Sequence, residues 1–151
     1  MPKHSKDTGI ERIIDANINR AKEGLRVCEE VARFILNSHS LTAEFKKLRH
    51  RIDYLIRQEG FFKNFIKYRD SLNDTGRLIY AQELKRKGCG DIFFANIQRV
   101  KESIRVLEEF SKLKDSSLAI SFKRIRYAIY ELEKKTASRL LNDATGIRQK
   151  Q

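Results

Sequence analysis

Two stretches of this chain are near copies of two others, and that repetition limits the folds open to it. Residues 16–30 read ANINRAKEGLRVCEE and residues 95–109 read ANIQRVKESIRVLEE, with ten of fifteen positions identical at an offset of 79. Residues 45–55 (FKKLRHRIDYL) and 122–132 (FKRIRYAIYEL) share five identities at an offset of 77. Periods of about 20–50 residues build solenoids. A single duplication of a longer unit predicts instead two helical hairpins packed about a pseudo-twofold axis. The residues kept in both copies are largely Asn, Arg, Lys and Glu, and packing alone does not ask for those.

Helix signals fit that frame. The one proline is Pro2 and only seven residues are glycine, so long stretches are free to be helical. Thr8 and Glu11 have capping-box spacing and predict a first helix over 9–36. Asn37–Ser40 is a turn cluster, Ser40 caps a second helix over 41–58, and Gly60 ends it. Residues 61–76 are the least periodic and read as loop with short structure, followed by a helix over 77–87 closed by Gly88 and Gly90. Asp91 caps a helix over 92–113, Asp115–Ser117 turns, and a last helix covers 118–142. No strand pattern of useful length occurs. The expected fold is all-α, a helical bundle of two duplicated hairpins with a short central connecting segment. In domain terms, 1–8 is a disordered N-terminus, 9–145 a single helical domain and 146–151 a flexible tail; repeat one covers 9–58, the connector 59–90 and repeat two 91–142.

A chain of this length is ordinarily one domain with a core that needs no staples. With 40% hydrophobic and 34% charged residues, the balance is that of a soluble globular protein. No apolar run reaches membrane-spanning length, and MPKHSKDTG lacks the apolar stretch of a secretory signal. Cys28, on an apolar helical face, and Cys89, between two glycines, make neither a disulfide framework nor a zinc motif. The expected location is the cytoplasm, with no membrane partner. The net charge of +12 favours anionic partners, whether nucleic acid, acidic lipid or phosphorylated small molecules. The positive charges are interleaved with glutamates, so a solvated basic surface explains the same number.

Polar residues on the apolar face are more specific. At about 100° per residue, Asn17 falls within the apolar arc of the first helix, and Arg20 falls between Val27 and Val31. Gly24 lies one turn beyond Arg20; the second copy repeats the set as Asn96, Arg99 and Ser103. An inward amide and guanidinium need partners, since unpaired burial costs about 1–3 kcal/mol or more. One reading is a buried network that fixes helix register. The other is a polar pocket between the hairpins, where the small residue beside each Arg leaves room for a ligand and the guanidinium receives phosphate oxygens. Glu23, Arg26 and Glu30, matched by Glu102, Arg105 and Glu109, border that face as pocket rim or as ordinary helical ion pairs. Arg49 and Arg126 are a further matched pair, each beside the apolar stripe of its helix.

The asymmetric element is Arg69-Asp70-Ser71-Leu72-Asn73-Asp74-Thr75-Gly76, which has no full counterpart in the other half. Asp70 and Asp74 could hold magnesium through water or accept a proton from a hydroxyl nucleophile; a helix cap and turn would use the same residues. A duplicated cationic frame beside one acidic loop is what phosphoryl transfer requires. There is no P-loop motif, and His4, His39 and His50 share no metal spacing. The residues alone reach a helical protein that binds a small anionic ligand.

The run from Asp15-Ala16-Asn17 through Asn19-Arg20-Ala21, Glu23-Gly24-Leu25-Arg26-Val27 and Glu29, then Arg33-Phe34, Leu48-Arg49, Arg69-Asp70 and Asp74-x-Gly76, and again Ala95-Asn96 to Glu108-Glu109, resembles one family. It is the alternative hydroxymethylpyrimidine-phosphate kinase of thiamine biosynthesis, which occurs alone or fused in front of thiamine-phosphate synthase. The resemblance covers roughly residues 10–135, and with no synthase barrel attached the chain looks like the stand-alone form. It implies ATP-dependent phosphorylation of 4-amino-5-hydroxymethyl-2-methylpyrimidine phosphate to the diphosphate, with ATP and Mg²⁺ as cofactors. On that resemblance Arg20 and Arg99 hold phosphates, Asp70 or Asp74 places Mg²⁺ or the attacking oxygen, and Asn17 and Asn96 bond the aminopyrimidine or a phosphate. Glu23, Arg26, Arg49, Arg69, Glu102, Arg105 and Arg126 complete the expected binding set. Thiamine-phosphate synthase is a candidate partner, and a homodimer sharing pockets is the alternative to a monomer with one. The rival readings are a nucleic-acid-binding helical protein, disfavoured because no reading motif appears, and a thiamine-pathway interaction domain without catalysis.

Overall fold

The computed structural model describes residues 6–58 and 65–148. Four helices dominate: α1 (Lys6–Glu30), α2 (His39–Gln58), α3 (Cys89–Ser111) and α4 (Ser116–Arg148). No strand occurs among the described residues, so the chain is all-helical as expected. None of its described helices is long and apolar enough to cross a membrane.

The apolar periodicity explains the packing. α1 contributes Ile14, Ala21, Leu25 and Cys28 and packs chiefly on α3, which contributes Phe93, Ile97, Val100, Ile104 and Leu107. α2 covers α1 with Phe45 and Ile52, and α4 covers α3 with Phe122, Ile129 and Leu132. Each fully buried side chain of this size stabilises the fold by about 1.5–3 kcal/mol. Gly24 sits where α1 and α3 come closest: a Cβ there would lie 2.6 Å from Val100 Cγ2 and 3.1 Å from the Asn96 carbonyl oxygen. The glycine therefore admits the neighbouring helix. It does not leave room for a ligand beside Arg20, which corrects that expectation. Ser103, its counterpart, is also buried and donates to the Arg99 carbonyl at 2.8 Å.

α1 widens into a π-turn over Val31–Ile35, with Leu36 N–H donating to Val31 O at 3.0 Å and Ser38 N–H to Ala32 O at 2.9 Å. Asn37 ends it at φ 47°, a left-handed conformation that Asn tolerates better than most residues. Several expected boundaries move. The helix is already under way at Lys6, so Thr8 lies inside it and is not the cap. Ser38, not Ser40, caps α2: its hydroxyl accepts from Leu41 N–H at 3.3 Å. Gly60, expected to end α2, lies outside the described residues. α3 begins at Cys89 behind Gly88, and Asp91 reaches back from the first turn to accept from Lys87 N–H at 3.0 Å. Asp115 caps α4 by accepting from Ser117 N–H at 2.8 Å, and α4 continues to Arg148, past the expected end at 142. The helix expected over 77–87 is absent. Short 3₁₀ turns at Phe65–Tyr68, Thr75–Arg77 and Ala81–Leu84 form the connector instead. Leu78, Ile79, Tyr80 and Leu84 are exposed there, so no buried face supports a longer helix.

Candidate active site

The α1–α3 crossing and the loop after Phe65–Tyr68 enclose an open cleft of about 790 Å³. α1 supplies Arg12, Asp15, Asn17, Arg20 and Glu23, α3 supplies Arg99, and the loop supplies Arg69, Asp70 and Asp74. Seven of the expected site residues thus share one cavity: Asn17, Arg20, Glu23, Arg69, Asp70, Asp74 and Arg99. Arg20 and Arg99 form no ion pair or hydrogen bond among the described residues, so their guanidinium donors are available to a ligand. Asn17 is buried and donates its Nδ2 to Ile13 O at 2.8 Å, which leaves its Oδ1 as an acceptor at the cleft floor. Asn96 makes the matching bond to Ile92 O at 2.8 Å.

The loop is braced within and without. Asp70 Oδ1 accepts from Asn73 N–H at 3.2 Å, and Asp70 Oδ2 from Asn73 Nδ2 at 2.9 Å. Asp74 caps the turn at Thr75–Arg77, its Oδ1 accepting from Gly76 N–H at 2.8 Å. A Cβ on Gly76 would come within 3.3 Å of that same oxygen, so the turn is tight at this point. The cap-and-turn reading of the two aspartates is therefore correct, and the same geometry sets both on the cleft wall. Arg69 spans to α1, donating Nε to Asp15 Oδ2 at 2.8 Å and Nη2 to Asp15 Oδ1 at 2.7 Å. That bidentate pair holds the guanidinium pKa above its ordinary value. Arg12 Nη2 adds a bond to the Asp70 carbonyl at 3.3 Å.

The rest of the expected binding set lies elsewhere. Glu29 is buried and accepts from Arg49 Nε at 2.6 Å, while Arg26 pairs with Glu29 and Glu30 at 3.4 and 3.1 Å. The second copy repeats this arrangement. Buried Glu108 accepts from Arg126 Nε at 2.8 Å, and Arg105 pairs with Glu108 and Glu109 at 3.1 and 2.9 Å. The Glu108 bond raises the Arg126 pKa, and Lys112, bonded to Glu109, lowers that carboxyl. Arg26, Arg49, Arg105, Arg126 and Glu102 line two shallow side grooves outside the main cleft, and Asn96 lines none of the three.

Arg12, Asp15 and the buried glutamates Glu29 and Glu108 carried no role in the sequence reading. A signal for the glutamates existed, since the Glu-Glu doublet recurs at the end of both repeats. The repeat carries none for Arg12 and Asp15, whose counterparts at the 79-residue offset are Asp91 and Phe94, although Asp15 opens the run that resembles the family. No group of three or more His, Cys, Asp or Glu able to hold a metal occurs among the described residues. Two carboxylates on one wall nevertheless suit Mg²⁺, which keeps several waters and takes its other oxygens from phosphate.

Against known proteins, the ThiD2 family matches residues 12–135. A thiamine-phosphate synthase of Synechocystis is 42% identical over 127 residues, covering 83% of this chain and 36% of that protein. The thiamine-phosphate synthase of Rhodopirellula baltica is 42% identical over 133 residues, covering 85% and 35%. One from Prochlorococcus marinus (strain AS9601) is 36% identical over 132 residues, covering 87% and 36%. The chain thus spans about a third of the length of these curated relatives. No solved structure matches it.

Proposed function

We propose, from the fact that this chain belongs to the ThiD2 family, that it is a phosphomethylpyrimidine kinase acting in cytoplasmic thiamine biosynthesis. It transfers the terminal phosphoryl group of ATP to 4-amino-5-hydroxymethyl-2-methylpyrimidine phosphate and yields the diphosphate. The observation that carries this reading is the pair of unlike walls in one cleft, with Arg20 and Arg99, unpaired among the described residues, on the helices and Asp70 and Asp74 on the loop. A site that merely held phosphate gains nothing from carboxylates nearby. A site that transfers phosphate needs cationic groups for the moving charge and acids for the metal.

On this reading Arg20 and Arg99 bind phosphate oxygens of donor and acceptor, and Asn17 Oδ1 accepts from the pyrimidine amino group. The acceptor is a phosphate monoester, largely ionised at neutral pH, so no strong general base is required. The cleft lining contains no histidine among the described residues. Asp70 and Asp74 would hold Mg²⁺, which when bound neutralises charge on the phosphate oxygens. The matched ion pairs at Glu29 and Glu108 support the two hairpins being related by a pseudo-twofold axis near Gly24, with a single cleft on one side of it.

A coupled assay tests the activity. Protein, MgATP and hydroxymethylpyrimidine phosphate are supplied to thiamine-phosphate synthase with thiazole phosphate. Thiamine phosphate formed only with both this chain and ATP is the expected outcome; none formed, with an active synthase and folded protein, defeats the kinase reading. A second reading, an interaction domain for thiamine-phosphate synthase, is favoured by exposed Leu72, Leu78, Ile79, Tyr80 and Leu84 and by the additional length of the relatives. It predicts a complex with the synthase and no shift in Tm on adding MgATP.

A further inference from the structure

The duplication supplies an internal control for the cleft. Asn17 and Asn96 match, Arg20 and Arg99 match, and both arginines reach the cavity. The residues that fasten the acidic loop do not match: Asp15 and Arg12 in the first copy are replaced by Phe94 and Asp91 in the second. Asp15 is buried at 8% exposure, and its carboxylate receives both bonds from Arg69, while Arg12 takes the carbonyl of the next residue, Asp70. Two consecutive loop residues are thus tied to α1, one through its side chain and one through its backbone. Arg69 spends two of its nitrogens on Asp15, so its geometry is that of a strut more than of a ligand hand. A buried carboxylate left without that partner costs several kcal/mol, which keeps the strut closed.

We infer that Asp15, Arg69 and Arg12 are positioning residues that latch the loop carrying Asp70 and Asp74 against α1, and that this latch gives the chain one transfer site where its repeat would otherwise give two half-sites. The inference deepens the kinase reading and rests on it for the catalytic consequence. Asp70 and Asp74 belong to a segment whose residues 71–76 are all exposed, so the bonds of Arg69 and Arg12 to its start and the turn bonds within it are what set their distance from Arg20. Group transfer is sensitive to such placement: an error of about 1 Å costs on the order of a hundredfold in rate. Phe94 has no carboxylate to receive a bidentate arginine, and it stands 40% exposed.

The test uses the full chain with Arg69→Ala, Arg69→Lys and Asp15→Asn, read by steady-state kinetics and by hydrogen exchange of amides 70–76. The latch predicts that Arg69→Ala loses about a hundredfold in kcat with KM for MgATP and for the pyrimidine phosphate little changed. Arg69→Lys should recover part of that loss, and exchange should rise in 70–76 but not in α1 or α3. A rise in KM with kcat preserved overturns it, because Arg69 would then be a ligand contact. Unchanged kinetics and unchanged exchange overturn it as well. If the wild-type chain shows no turnover, the kinase reading fails on its own, and the latch is judged by exchange alone: faster exchange in both Arg69→Ala and Asp15→Asn upholds the docking, and unchanged exchange removes it. Circular dichroism of each variant separates a released loop from a lost fold.

Discussion

Glu29 and Glu108 occupy the same point in the two copies, each buried and each held by an arginine from the helix that follows. Asp15 and Phe94 also occupy the same point, and they share nothing chemically. The first comparison shows repetition conserving a way of packing, in which a carboxylate inside the hairpin fixes the second helix against the first. The second shows repetition absent at a position that, with Arg12, ties the loop to one half only. Residues repeated in both halves therefore divide into two sorts. Among the described residues, Arg49 and Arg126 have an ion-pair partner in their own half, and Arg20 and Arg99, which have none, line the cleft.

The largest effect tests that division where it concerns chemistry. Arg20→Ala should lower kcat/KM for pyrimidine phosphate phosphorylation by about a thousandfold, near 4 kcal/mol of transition-state stabilisation. Arg99→Ala should cost less, because Arg20 is half-buried on the helix that carries the latched loop, whereas Arg99 is exposed. Neither should move Tm appreciably, since neither has a protein partner to lose among the described residues. Equal losses from both would mean that the cleft is symmetric in function despite its asymmetric loop. A large fall in Tm would return both arginines to the structural network.

The next effect concerns the matched half of the comparison. Glu29→Gln and Glu108→Gln each leave an arginine on a buried face without its counter-charge, and each should destabilise by about 3 kcal/mol in urea unfolding. The two values should agree to within roughly 1 kcal/mol, because the carboxylates are buried alike at 4% and their arginine bonds are 2.6 and 2.8 Å. A clear difference would show that the sequence repeat outlived the structural one.

How much of this was legible in the sequence follows from the same residues. The apolar stripes that bury Ile14, Leu25, Phe45 and Phe122 recur with helical period, and a period is visible in one dimension. The cleft is half legible: Asn17 and Arg20 interrupt the apolar arc, whereas Arg26, Arg49, Arg105 and Arg126, expected beside the ligand, pair with glutamates outside the main cleft. An arginine facing a carboxylate and one facing a cavity read identically until the partner's position is known. Gly24 misled for a related reason, since a small residue signals closeness to something, and the sequence does not say whether that is a ligand or Val100. The Asp15–Arg69 contact joins residues 54 apart in the chain, the second of them in the unrepeated connector, so no periodicity could announce it.

The smallest effect lies at the helix caps, where the copies match in position and differ in charge. Ser38 caps α2 and Asp115 caps α4, at the 77-residue offset that relates the second helices. Bonds from the Ser117 hydroxyl and amide lower the Asp115 carboxyl from its ordinary 3.8. A carboxylate lowered on folding adds stability that is fully present above that ordinary value and is lost as the pH falls through the lower folded one. A serine cap has no such dependence. Ser38→Ala should therefore cost about 1 kcal/mol at every pH where the protein stays folded. Asp115→Ala should lower Tm at neutral pH, and its deficit should shrink as the solution is acidified below 3.8. Thermal melts of both variants across that range decide it. A deficit for Asp115→Ala that stays constant into acid would mean that its bonds, like those of Ser38, act without their charge, and the two caps would then be equivalent in mechanism as well as in place.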